Sequence, residues 1–348
     1  MSVATLPPIR DADAPFCPGG IDDTPADLII ESSDRVHHHT HKAILAFSAH
    51  CFRNLLEFPS PTGEDANPER DGKPILSLPE DSVVMRKLLL ALYPRSSQAF
   101  VIKDLDGIDG AVEAAKKYDS PVATTQLHAA LRDVQLMDNQ PHRIYAIACH
   151  NGLEDIAKEA AVATMRLSTG RSPFNRYFRL PPPEYNYISA HQLWLLENFQ
   201  QEGAHSIASA LSEQTWSEGP PNPDAIDINE YGAVWWKDVV YVNLQEVRHA
   251  QGCGMRSVGD DYDVGPSSWF FAHVQHLREN LSDMSMETVT QKLTMLSPET
   301  LKAILACPAC SALASTHLSR LSKWFSTKVV QILRATASKT NFTEGRFV

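Results

Sequence analysis

Three short stretches hold residue types that could do chemistry. His37-His38-His39-Thr40-His41 concentrates imidazoles, common zinc ligands, in one run. On a strand, though, His37 and His39 face one way and His38 the other. No cysteine or carboxylate stands beside them in the sequence, so the run reads as a partly exposed edge strand. Cys307-Pro308-Ala309-Cys310 has the CxxC spacing of zinc knuckles and of thioredoxin-like redox sites. Zinc needs further ligands: His317 follows Cys310 closely, Cys253 is distant, and no second pair has finger-like spacing. A redox site wants a strand ahead of the motif, whereas Leu301 to Ala306 reads as helix. The expectation is a structural pair, with zinc binding or redox chemistry through Cys307 and Cys310 as the alternative. Cys149-His150 is adjacent in sequence, but a catalytic cysteine and histidine meet through the fold, so it is not read as a dyad.

The larger motifs are missing. Gly252-Cys253-Gly254 with Gly259 is not GxGxxG, and no GxxxxGK[ST], HExxH or GxSxG occurs. No catalytic, cofactor-binding or metal-binding residue is therefore assigned, and the chain is expected to be neither an enzyme nor a cofactor carrier. Trp235-Trp236, Trp269-Phe270-Phe271 and Trp324-Phe325 read as core anchors, although an exposed aromatic can act as a binding hot spot.

The elements that would position these residues fall into two halves. Ala26 to Glu31 and Arg35 to Thr40 read as a hairpin around the turn-forming Ser32-Ser33-Asp34. Lys42 to Phe47 reads as a short helix, and Ser48 is placed to cap a second, in which Phe52, Leu55 and Leu56 share a face until Pro59. Pro59 to Pro74 reads as an exposed loop and Ile75 to Leu78 as a strand. Helices follow at Val83 to Tyr93, Gly110 to Tyr118 and Val122 to Leu136. From Pro141 the strand signal fades, and helical patterns recur at Arg143 to Cys149, Leu153 to Leu167, Ser189 to Leu211, Val234 to Arg248, Trp269 to Leu281 and Pro298 to Leu333. Gln192 stands three residues after Ser189, as in a capping box, and Pro298 after Ser297 suits a first helical turn.

Length and composition bound the function. The 348 residues leave room for two domains, and 43% hydrophobic with 21% charged residues is a globular balance. Acidic residues exceed basic ones, 42 against 31, and the basic ones are scattered, which disfavours a nucleic-acid surface. Six dispersed cysteines do not form a disulfide framework, so a reducing, intracellular compartment, cytoplasmic or nuclear, is expected. Residues 1–21 show no signal-peptide core and read as a disordered tail, and no stretch approaches the roughly 18 apolar residues that span a bilayer.

The run Ala26-Asp27-Leu28-Ile29-Ile30, then His41-Lys42-Ala43-Ile44-Leu45-Ala46-Phe47-Ser48, then Phe52-Arg53-Asn54-Leu55-Leu56, resembles the BTB/POZ signature. In that signature an aspartate opens the first strand and a His-Lys/Arg pair enters a helix, followed by an apolar pair, a serine and an aromatic. Ile75 to Leu78, Leu88 to Tyr93 and Ala114-Ala115-Lys116-Lys117-Tyr118 are similar to the later parts of that domain. The Leu92-Tyr93-Pro94 ending and Ala146-Ile147-Ala148 through Ala160-Ala161 resemble fungal (basidiomycete-type) BTB proteins with a helical C-terminal half.

The resemblance implies an α+β chain: a BTB/POZ domain at 22–134, its small sheet covered by helical hairpins, an α-helical domain at 140–335, and a tail at 336–348. It also implies a non-enzymatic adaptor or scaffold that binds protein partners, in the manner of a ubiquitin-ligase substrate adaptor or a transcription-associated regulator. Asp27 and His41-Lys42 are expected to fix the first helix on the sheet. Pro15, Pro18, Gly19-Gly20 and Pro25 would break the helix that many members exchange to form a homodimer, and Phe58-Pro59-Ser60-Pro61 offers no apolar-x-Glu motif for a cullin. Homodimerisation and cullin binding therefore stay open, with no nucleic acid and no membrane among the expected partners.

Overall fold

The computed structural model describes residues 7–20, 25–57, 68–93, 101–167, 181–211, 239–242, 245–250, 253, 255–257, 264–279 and 286–345. The chain is α+β and divides into two compact units. The first gathers the residues up to Ala160 with Pro182–Ile188, and the second gathers those from Ala161 with Ser189–Gly345.

In the first unit β2 (Leu28–Glu31) and β3 (Val36–Thr40) form the expected hairpin, with Leu28 opposite Thr40 and Ile30 opposite His38. β5 (Lys73–Ser77) lies parallel to β2, with Ile29 opposite Ile75. Two further strands widen the expected three-stranded sheet to five. β4 (Glu69–Arg70) folds back on β5 through Asp71-Gly72, both at positive φ as a tight hairpin turn requires. β1 (Arg10–Asp11) runs parallel to β3, giving the order β1-β3-β2-β5-β4.

The disordered tail expected at 1–21 is corrected for the described residues 7–20. Asp11 pairs with Arg70, and Phe16 is fully buried against Tyr93, so aromatic burial and a charge pair hold what the prolines and glycines suggested was loose. Part of the loop expected at 59–74 is likewise strand, while residues 58–67 lie outside the described residues.

Helices cover the sheet: α1 (Lys42–Ser48), α2 (His50–Glu57), α3 (Ser82–Leu92), α4 (Ile108–Lys117) and α5 (Pro121–Leu131). Asp81 caps α3 by accepting from Val83 and Val84 N–H, and α3 buries Met85, Leu88 and Leu89 completely. Asp34, in the β2–β3 turn, accepts from the Ser82 N–H at 2.8 Å and so ties the hairpin to the start of α3. Ser48, expected to cap α2, instead donates to the Leu92 carbonyl at 3.0 Å. The helix expected over Val122 to Leu136 breaks into α5 and α6 (Val134–Asn139), because Asp133 starts a new helix by accepting from Gln135 and Leu136 N–H.

The expected domain boundary at 134–140 also moves. α7 (Pro141–Asn151) belongs to the first unit, with Ile144 through Cys149 fully buried. His150 and the Asn151 side chain both bond Asp109 near the start of α4. A 3₁₀ turn at Pro183–Tyr187 packs on α7 through Arg143–Glu184 and His142–Tyr185. The chain passes from the first unit to the second within α8 (Glu154–Leu167).

In the second unit α9 (Ala190–Ala210) opens with the expected capping box, Ser189 N–H to Gln192 Oε1 at 2.9 Å and Gln192 N–H to Ser189 Oγ at 3.2 Å. The helix expected over Val234 to Arg248 is instead an antiparallel pair, β6 (Val239–Val242) with β7 (Gln245–Arg248), since the run Val239-Val240-Tyr241-Val242 favours extended chain. A second pair, β8 (Met255–Ser257) with β9 (Val264–Ser267), follows, so this half is less purely helical than expected. Then come α10 (Ser268–Glu279) and α11 (Met286–Lys292).

The helix expected over Pro298 to Leu333 is broken into α12 (Pro298–Leu305) and α13 (Pro308–Ser338). Pro308 pushes Cys307 into extended backbone, φ −114° and ψ 121°, and a new helix begins at once. Beyond it Phe342, expected in a tail, is fully buried against Phe199 of α9. Among the described residues no helix is long and apolar enough to cross a membrane.

Candidate functional site

At the junction of sheet and α1, the Asp27 carboxylate accepts the Lys42 N–H at 2.8 Å. His41, the N-cap of α1, provides no side-chain cap of its own, so Asp27 serves that helix start from outside it. The His41 N–H is bonded to the Tyr93 hydroxyl at 2.9 Å. Of these polar groups His41 and Tyr93 are buried, whereas Asp27 is exposed and Lys42 half-buried, so the cluster expected to be buried is so only in part, and its hydrogen bonds seat α1 on the sheet. The far end of the same helix presents Phe47 to solvent at 81% exposure.

The histidine run does not form an exposed edge. β3 is an inner strand between β1 and β2, and His37, His38 and His39 are all buried. The carboxylates missing from the local sequence arrive from neighbouring strands, with Glu31 2.9 Å from His37 Nε2 and Asp11 3.2 Å from His39 Nε2. Arg70 grips Asp11 through both Nη atoms, at 2.8 and 3.0 Å, and donates to His37 Nδ1 at 3.0 Å. Because guanidinium only donates, His37 Nδ1 accepts and its Nε2–H donates to Glu31. Arg70 and the two carboxylates thus occupy both ring nitrogens of His37 and Nε2 of His39.

The cysteines behave differently from the sequence expectation. Four donor atoms converge in the second unit, His249 Nδ1 and the Sγ atoms of Cys253, Cys307 and Cys310, all within 4.8 Å of one another. Nδ1 lies 3.2 Å from Cys253, 3.3 Å from Cys307 and 3.5 Å from Cys310, and the Cys253 and Cys310 sulfurs are 3.6 Å apart. All three cysteines are buried and carry free thiols.

Cys307 is the N-cap of α13 and Cys310 lies in its first turn, where the positive end of the helix dipole favours negative sulfur. Trp269 Nε1–H, from α10, donates to Cys310 Sγ at 3.2 Å. Burial pushes the Cys310 and Cys253 thiols up, opposed at Cys310 by the Trp269 N–H and at Cys253 by Cys310, and reinforced at both by Cys307. Burial acts the same way on Cys307, yet the nearby backbone amides of Cys310 and Ala250 and the neighbouring thiols outweigh it and leave it lowered.

Sequence reasoning sets Cys253 aside as distant and passes over His249. The available signal is the i, i+4 spacing of His249 and Cys253, a second ligand pair to set beside CxxC. His317 is not part of the cluster. Gly252, Gly254 and Gly259 and the pair Trp235-Trp236 lie outside the described residues, while Trp269, Phe270 and Phe325 are buried as core anchors. Cys149 is fully buried, which pushes its thiol up to about 12, and His150 turns to Asp109 at 2.9 Å, so the adjacent pair is drawn into packing. Neither a scan against protein-family models nor a search of curated proteins finds a match to this chain.

Proposed function

We propose that this protein is a non-enzymatic interaction adaptor whose first unit is a BTB/POZ-type docking body. The observation that carries the reading is the seating of α1: Asp27 holds its first turn on the sheet, and the same short helix ends in a phenylalanine left 81% exposed. An aromatic of that size on a rigidly held helix is the usual make-up of an interface hot spot. The element order, hairpin, two helices, third strand and further helices, also fits the resemblance carried by Asp27, His41-Lys42 and Phe52. On this reading the protein works by placing a protein partner, with a cullin or a transcription complex as the two partner classes that the resemblance suggests.

The test is paired affinity capture from the native cell with the full-length chain and its Phe47→Asp variant, after circular dichroism has shown both to be folded. Loss of a defined set of proteins from the variant supports the reading. An identical set from both chains, or a turnover activity that copurifies with the polypeptide, overturns it.

A further inference from the structure

We propose that His249, Cys253, Cys307 and Cys310 bind a structural zinc ion in the second unit. His249 Nδ1 has a sulfur at 3.2, 3.3 and 3.5 Å, yet an imidazole nitrogen carries either one proton or one lone pair and satisfies one such neighbour. Convergence of three sulfurs on that atom is explained when all four donors share a cation.

The dimensions agree. With Zn–S near 2.3 Å and Zn–N near 2.05 Å, the edges of a tetrahedron are roughly 3.8 Å between sulfurs and roughly 3.6 Å from sulfur to nitrogen. Four of the six edges, 3.2 to 3.6 Å, lie within a few tenths of an ångström of these values, and all six are within 4.8 Å. Three sulfurs and an imidazole form a soft donor set of the kind that selects zinc.

The competing chemistry is a dithiol–disulfide couple. A bridge would use two of the three sulfurs at about 2.05 Å and leave a single thiol for His249, whereas the Cys253 and Cys310 sulfurs stand 3.6 Å apart. α12 precedes the CxxC where a redox fold would place a strand. Four protein donors, three of them from residues no more than 7% exposed, close the coordination sphere, which marks a structural rather than a catalytic ion. Binding would exchange the three thiol protons for one divalent cation, leaving the site one negative charge that the Trp269 N–H and the N-terminus of α13 offset. The ion would fasten the segment after β7 to the start of α13.

Metal analysis of the full-length chain, purified under reducing conditions from zinc-replete cells, is the first measurement. Stoichiometric zinc is expected, lost in Cys253→Ser and Cys310→Ser and retained in Cys17→Ser. Should the serine variants fail to fold, the wild-type chain stripped by chelator and titrated with Co(II) decides. Tetrahedral d–d bands together with sulfur-to-cobalt charge transfer support the site, and a His249→Cys chain should keep the bands with stronger charge transfer. Purified protein free of zinc, an octahedral cobalt spectrum, unchanged zinc in Cys253→Ser and Cys310→Ser, or a disulfide between any two of the three cysteines would overturn it.

Discussion

The Tyr93 hydroxyl accepts the backbone N–H of His41 at 2.9 Å, joining the residue that closes α3 to the one that opens α1. Both residues are buried, so removing the hydroxyl strands a donor away from water. Tyr93→Phe is expected to lower stability by about 1–3 kcal/mol. Asp27→Ala, which removes the acceptor for the Lys42 N–H, should cost about 0.5–2 kcal/mol, and Asp27→Asn, which keeps an acceptor oxygen, clearly less. Urea denaturation reads these effects, and midpoints equal to wild type would show that α1 is held by other means.

Both ends of the described chain are packed. Phe16 sits edge-on to Tyr93 with ring centroids 5.3 Å apart, and Phe342 edge-on to Phe199 at 5.6 Å. Each is fully buried, so Phe16→Ala and Phe342→Ala should each destabilise by about 3–5 kcal/mol in urea denaturation. Tails would show no change in midpoint.

Stability should fall as the solution is acidified, starting above the range of ordinary carboxyl titration. Burial pushes His38 down to about 4, with the Asp34 charge opposing and Arg86, His37 and His39 reinforcing, and burial likewise pushes His142 down to about 4. In the unfolded chain both titrate near 6.5. Between those values the unfolded chain binds more protons than the folded one, so the contribution is full above about 6.5 and is lost as the pH falls toward 4. Burial pushes Asp11, Asp34 and Glu80 upward, but their hydrogen-bond donors outweigh it and hold all three below the ordinary carboxyl range, so they add their losses only at lower pH. Neither ring nitrogen of His38 has a hydrogen-bond partner among the described residues. His38→Leu should therefore flatten the profile of urea midpoint against pH between about 7.5 and about 4.5, and a slope as steep as wild type would contradict this.

Trp269 should tune the cysteine cluster without being required for it. Trp269→Phe removes the N–H that reaches Cys310 at 3.2 Å while keeping an aromatic in place. Zinc affinity, measured by competition with a coloured chelator, is expected to fall on the order of tenfold with stoichiometry unchanged. Unaltered affinity would show that the indole only packs.

How far the sequence can be read depends on the range of the interaction. Local signals are reliable: Ser189 and Gln192 form their capping box, and the Leu28 to Thr40 hairpin stands where turn residues place it. The same proline rules that start α13 at Pro308 also explain why one long helical pattern is two helices, a boundary hidden by the continuous apolar stripe on either side. What depends on distant partners is not legible. The His37–Glu31 and His39–Asp11 pairs are made by strand order, which no local pattern encodes. Cys253 and Cys310 are brought together from 57 positions apart by the packing of the second unit. The run from Val239 to Val242 is ambiguous because a short apolar stretch fits a strand and a helix segment equally well by periodicity.

The 31 residues of α13 make a rod roughly 46 Å long, with the cysteine knuckle at one end and the Phe342 turn just beyond the other. Along its length Leu333 reaches so close to Gly203 of α9 that a methyl group there would stand 2.7 Å from it. Such a rod acts as a ruler. Adding or removing a single residue between Cys310 and Leu333 would turn one end against the other by about 100° and swing Leu333 off its seat, so this stretch tolerates changes of side chain on its outer face but not changes of length.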